Sequence, residues 1–185
     1  MEAADDEIVK QVLGGSRNRY RFLVSRYERQ IFNLMFRYSH NDDDAADLTQ
    51  EVFVKAYSRL DQYRYDDRFF SWLYALAVNL ARDWYRKRCR SQELCTELVD
   101  NELKVPGSVS RQEEGLERSE EIKFLEDALG QLSHRNREMV ILRYQQERSI
   151  KEIVEIFDMG ESAVKMRLSR ALKQLRKIIH GVDRR

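Results

Sequence analysis

The 185-residue sequence holds 33 Lys and Arg against 32 Asp and Glu, with only one Pro, seven Gly and two Cys. So few turn residues favour long helices and argue against a many-stranded sandwich or barrel, whose hairpins need Gly, Asn or Pro. No apolar run reaches the roughly 18 residues of a membrane span, and the acidic start Met1 to Glu7 is unlike a secretory signal. Cys89 and Cys95, with no CxxC or Cys/His cluster beside them, read as free thiols of a reduced, cytosolic protein. A redox pair is the alternative.

Helical periodicity falls in two blocks, from about Ile8 to Arg90 and from about Glu117 to Ile179. In the first, Leu23, Tyr27, Ile31, Leu34 and Tyr38 recur at three- and four-residue steps and so share one face. Asn41 then caps a helix whose first turn, Asp42-Asp43-Asp44, suits the positive end of the helix dipole. Ala45, Leu48, Val52, Ala56 and Leu60 form its apolar stripe. A loop from Gln62 to Arg68 precedes a helix from about Phe70 to Arg90, with Leu73, Leu76, Ala77, Leu80 and Trp84 facing inward. In the second block, Ile122, Leu125, Leu129 and Leu132 make one helix face, and Ser133 caps a helix carrying Met139, Val140, Leu142 and Tyr144. Ser149 and Glu152 fit a capping box ahead of Ile153, Val154 and Phe157. Asp158-Met159-Gly160 is a turn, and Ser162 opens a last helix with Val164, Leu168, Ala171, Leu175 and Ile178 in register. No segment reads as a strand, so the fold class is all-α.

Charge is sharply segregated. Ser162 to Lys177 holds six bases and no acid, and Asn79 to Arg90 holds five bases against Asp83 alone. Asp42 to Glu51 holds five acids and no base, and Glu93 to Glu121 holds nine acids against three bases. The last stretch also contains the single Pro and reads as an acidic linker. Two basic helices in separate blocks are two footprints for a polyanion, although each alone is equally a solvated face.

Helix, short turn and longer basic helix, from Ser149 to Lys177, follow the order of a helix-turn-helix, whose second helix enters the major groove. Its polar face would put Lys165, Met166, Ser169 and Arg170 towards bases and Arg167 and Lys173 towards phosphates. An ordinary helical hairpin is the competing account. Asp158 occupies a turn position where Gly is frequent, and Asp tolerates the left-handed region. In the first block, Tyr63, Tyr65, Phe69, Phe70, Trp72 and Tyr74 lead into Asn79, Arg82, Asp83 and Arg86. Rings beside cations suit unpaired bases, which stack while the cations hold the backbone. Trp72 and Tyr74, inside the helix, read better as core. Tyr63 and Tyr65, in the loop, read better as ligands.

Three motifs in this order, Asp47-Leu48-Thr49-Gln50-Glu51-Val52-Phe53, then Phe70 to Asn79, then the helix-turn-helix, resemble those of a bacterial sigma factor of the extracytoplasmic-function group. The resemblance spans about Tyr20 to Ile179. It implies two small helical domains: region 2 over residues 1–90 and region 4 over 117–185, joined by a linker over 91–116 that passes near the polymerase active-site channel. It also implies core RNA polymerase as partner, through the β′ clamp helices and the β subunit. On that basis Asp47, Leu48, Gln50, Glu51 and Phe53 dock on polymerase. Tyr63 and Tyr65 capture a flipped base of the minus-ten element, and Asn79, Arg82, Asp83 and Arg86 read and melt it. Lys165, Met166, Arg167, Ser169, Arg170 and Lys173 read the minus-thirty-five element. Met166 stands where the family has a small polar residue, and the 62–68 loop lacks its frequent Gly. An anti-sigma factor is a further implied partner. No cofactor, metal, catalytic residue or membrane insertion is expected. A ligand-sensing helix-turn-helix regulator, a protein-binding scaffold, and a metal nuclease using His40 with Asp42 to Asp44 are the competing accounts.

Overall fold

The computed structural model describes residues 4–64, 68–91 and 120–182, and its regular structure is entirely helical. The chain divides into two compact units, each with its own core.

The first unit is built from α1 (Asp5–Leu13), α2 (Tyr20–Ser39), α3 (Asp42–Ser58) and α4 (Phe69–Ser91). The α2 stripe packs as its spacing predicts, with Leu23, Tyr27, Ile31, Leu34 and Tyr38 all buried. Facing it are Ala45, Leu48, Val52 and Ala56 of α3 and Leu73, Tyr74, Ala77 and Leu80 of α4. Each large side chain in this set contributes about 1.5–3 kcal/mol by leaving water. The Asn41 side chain accepts a hydrogen bond from the Asp44 amide at 2.9 Å, so the acidic first turn of α3 starts where the sequence indicates. Helix α1 holds the start of the first helical block, near Ile8, but the sequence pattern assigns it no stripe of its own. Ile8, Val9 and Val12 are its whole apolar face, too few to show a period. Its anchors are polar as well: Asp5 accepts from the Arg26 guanidinium and the Tyr27 hydroxyl.

The second unit contains α5 (Glu120–Gly130), α6 (His134–Val140), α7 (Ile150–Phe157) and α8 (Glu161–Val182). A wider π-type turn, Ile141–Gln145, prolongs α6. Ser133 caps α6 through the Asn136 amide. The capping box forms in both directions. The Ser149 amide donates to Glu152 Oε2 at 2.8 Å, and the Glu152 amide donates to Ser149 Oγ at 3.2 Å. Ile122 and Leu125 depart from expectation, both 49% exposed. The packed end of α5 is its C-terminal one, where Ala128 and Leu132 are buried.

Among the described residues, three helix ends use the left-handed region without glycine: His40 (φ 54°), Glu147 (φ 55°) and Asp158 (φ 49°). A chain poor in glycine closes these turns with residues that are strained there. The free-thiol expectation is also corrected, because Cys89 is disulfide-bonded. Cys95, the sequence's other cysteine, lies outside the described residues, as do Tyr65 and the acidic linker.

Candidate nucleic-acid interface

Helix α4 buries Phe69, Phe70, Leu73, Tyr74, Ala77, Val78 and Ala81 and turns a polar side to solvent. Asn79, Asp83 and Arg86 are exposed and Arg82 half-buried, a spacing that sets all four on one face. Arg86 pairs with Asp83. Arg88 is drawn elsewhere: its Nη1 lies 2.7 Å from Asp44 Oδ2, and its guanidinium sits 5.0 Å from the centre of the Trp84 ring. The basic end of α4 is thereby tied to the acidic start of α3.

Tyr63 is not the exposed platform expected of it. It is 4% exposed, edge-on to Phe69 at 5.5 Å and 5.6 Å from Trp72. Its hydroxyl donates to Asp6 Oδ1 at 2.6 Å and accepts from the Arg68 amide at 3.1 Å. Packing under α1 has turned a loop aromatic into a core residue. Tyr74 is buried and Trp72 half-buried, in line with the core reading of both.

On α3, Asp47, Gln50 and Glu51 are exposed. Leu48 and Phe53, named with them in the sequence, are 4% and 6% exposed and lie in the core. The reason is helical phase. Positions 47, 50, 51 and 54 project outward, and 48, 52 and 53 project into the core. The residue that completes the outward face is Val54, 69% exposed, which sequence reasoning passed over. Tyr57 continues the face at its C-terminal end and lines a groove of about 550 Å³ with Arg17, Tyr20 and Arg21. Tyr20 and Tyr57 meet edge-on at 5.0 Å, and burial together with Tyr57 pushes the Tyr20 hydroxyl well above the ordinary phenol range.

In the second unit, α7, the Asp158 turn and α8 form the helix-turn-helix. Val164, Leu168, Ala171 and Leu175 are buried. Lys165, Met166, Ser169, Arg170 and Lys173 are exposed, and Arg167 is half-buried. The inward and outward sides of α8 therefore divide as its sequence predicts. Met166, 52% exposed, places an apolar group amid the basic face, suited to a thymine methyl. Lys165 Nζ lies 2.5 Å from Glu161 Oε1, and that bond with the lysine's charge keeps the Glu161 carboxyl below its ordinary pKa. Burial acts to raise Glu152, but the Ser149 hydrogen bonds and the charge of Arg148 outweigh it and lower its pKa.

The sequence matches sigma-70 region 2 over residues 23–91 and sigma-70 region 4 over residues 125–175. It is 34% identical over 155 residues to the RNA polymerase sigma factor YlaC of Bacillus subtilis (strain 168), covering 84% of this chain and 88% of that one. The chain belongs to the extracytoplasmic-function group of sigma-70 factors. Its function is promoter-specific initiation of transcription. The same bacterium's extracytoplasmic-function sigma factor SigW is 29% identical over 182 residues, 96% of this chain and 97% of its own. The fold also matches the Bartonella quintana sigma factor RpoE, solved in complex with the anti-sigma factor NepR. The TM-score is 0.68 at 22% identity, covering 87% of this chain and 96% of that one. Among the described residues of this sigma factor, no helix is long and apolar enough to cross a membrane.

Proposed function

We propose that this sigma factor divides its work among three helix faces of opposite charge. The outward face of α3, with Asp47, Gln50, Glu51 and Val54, docks on core RNA polymerase. The face of α4, with Asn79, Arg82, Asp83 and Arg86, holds the opened minus-ten strand. The α8 face, with Lys165, Met166, Ser169, Arg170 and Lys173, reads the minus-thirty-five duplex, with Arg167 held at its edge. Residues 1–90 then act as region 2, 117–185 as region 4, and 91–116 as the linker between them. The chain performs no catalysis. It works in the cytoplasm, and its partners are core polymerase, promoter DNA and an anti-sigma factor.

The observation that carries this reading is the sorting of exposed charge. The α3 face bears acids, which repel phosphate and suit a protein partner. The α8 face bears Lys165, Arg170 and Lys173 with no acid, and the α4 face bears Arg82 and Arg86 against Asp83, a positive balance that neutralises phosphate and releases counterions. Trapping unstacked bases supplies about 1–3 kcal/mol per base towards opening. The test is the double substitution Asp47→Ala with Glu51→Ala. Affinity for core polymerase should fall at least about fivefold, the equivalent of 1 kcal/mol, with the melting temperature unchanged because both residues are exposed. Unaltered core affinity would refute the assignment.

A further inference from the structure

We propose that Met166 is a specificity-determining residue of α8, reading the 5-methyl group of a thymine in the upstream duplex. The inference rests on the reading of α8 as the helix that enters the major groove.

Helical phase carries it. Residues Glu161 to Val182 form one α-helix, so successive side chains turn by roughly 100°. The buried Val164, Leu168, Ala171 and Leu175 then lie about 140–200° around the axis from Met166. Met166 therefore stands on the crest of the helix, opposite the core. Ser162, Arg170 and Lys173, all exposed, fall within about 40° of it. Lys165 and Arg167 flank it at about 100° on either side. Lys165 is drawn back one turn to Glu161, with Nζ 2.5 Å from Oε1, which leaves the crest to the methionine. Met166 is 52% exposed, and among the described residues no other large apolar side chain of α8 is exposed.

A lone exposed methionine is ordinary on a solvated surface. On the crest of a groove helix it faces base edges, and its chemistry restricts which. The thioether donates no hydrogen bond and accepts only weakly. Set against a guanine, adenine or cytosine edge, it displaces water from polar atoms and gives them no partner in return. The thymine 5-methyl is the apolar group that a base edge offers in the major groove. The flexible, polarisable methionine side chain can close over that methyl and bury it. The class recognised is a 5-methylpyrimidine, so 5-methylcytosine qualifies where cytosine does not. Ser169 and Arg170 carry hydrogen-bonding groups for neighbouring positions.

The experiment uses the full chain assembled with core polymerase. Duplexes with randomised upstream positions are selected by wild type and by Met166→Ala, with core affinity and melting temperature measured in parallel. Each thymine of the wild-type motif is then replaced by uracil, which lacks only the methyl group. At one thymine, wild-type affinity should fall about fourfold, the equivalent of about 0.8 kcal/mol for one buried carbon. Met166→Ala should bind the thymine and uracil duplexes alike, and Met166→Leu, of similar volume, should keep the distinction. At the same position 5-methylcytosine should bind more tightly than cytosine in wild type and equally in Met166→Ala. Core affinity and melting temperature should not move. Uracil tolerated without loss at every position, or a loss that persists in Met166→Ala, would overturn the proposal. So would an upstream motif with no thymine on either strand, or a fall in core affinity with the motif unchanged. A wild-type holoenzyme that selects no upstream motif would overturn the reading of α8, and the proposal with it.

Discussion

Val54 offers a sharp separation of surface from core, because Val52, on the same helix, is fully buried and Val54 is 69% exposed. Val54→Ala deletes two carbons from a side chain that docking on polymerase would cover. At about 0.8 kcal/mol per carbon, reduced for the part already shielded, the loss is about 1 kcal/mol, or roughly fivefold in Kd. Val54→Thr is nearly isosteric and places a hydroxyl in the interface, costing about 1–3 kcal/mol if it finds no partner there. Neither change should move the melting temperature, since the residue lies outside the core. Val52→Ala should do the opposite: destabilise the fold by about 2 kcal/mol through a cavity and leave docking by the folded fraction intact. The assay is fluorescence titration of labelled sigma factor with core polymerase, paired with thermal unfolding. If Val54→Ala and Val54→Thr both bind core within twofold of wild type, the α3 face is not the docking surface.

Three further outcomes follow from the structure. Lys165→Ala with Arg170→Ala should weaken recognition of the minus-thirty-five element by about 1–3 kcal/mol for each base no longer read and leave core binding unchanged; holoenzyme binding to specific and scrambled duplexes separates the two effects. Glu147→Gly should raise stability by about 0.5–1 kcal/mol in urea unfolding, because a glutamate at φ 55° bears a cost that glycine does not. Glu152, whose pKa is lowered on folding from 4.5, contributes stability that is present above that unfolded value and lost as pH falls through the lower folded value. Glu152→Gln should therefore flatten the stability curve below about pH 4.5, measured by denaturant titration at stepwise lower pH.

Features set by neighbours in sequence were readable, and features set by distant packing were not. Asn41, Ser133 and the Ser149–Glu152 box are local hydrogen-bonding patterns, and all three formed. The face of α8 was readable because a 22-residue helix repeats its period several times. Tyr63 was misplaced because its burial depends on α1, which lies far away in sequence and has too short a stripe to announce itself. Leu48 and Phe53 were assigned from a contiguous motif, whereas a helix exposes every third or fourth position. Val54 drew no reading from the sequence, because one apolar residue among buried ones carries no local mark of its exposure. Glu147 ends a helix in the left-handed region with no glycine or asparagine to signal it. Cys89 lies in no spacing motif that would announce its disulfide.

Run-off transcription with core polymerase tests the central claim most directly. Added to core on templates bearing candidate promoters, this sigma factor should direct initiation from a defined start, and the Lys165→Ala, Arg170→Ala variant should join core yet initiate poorly. A chain that neither joins core nor produces a defined transcript would contradict the account.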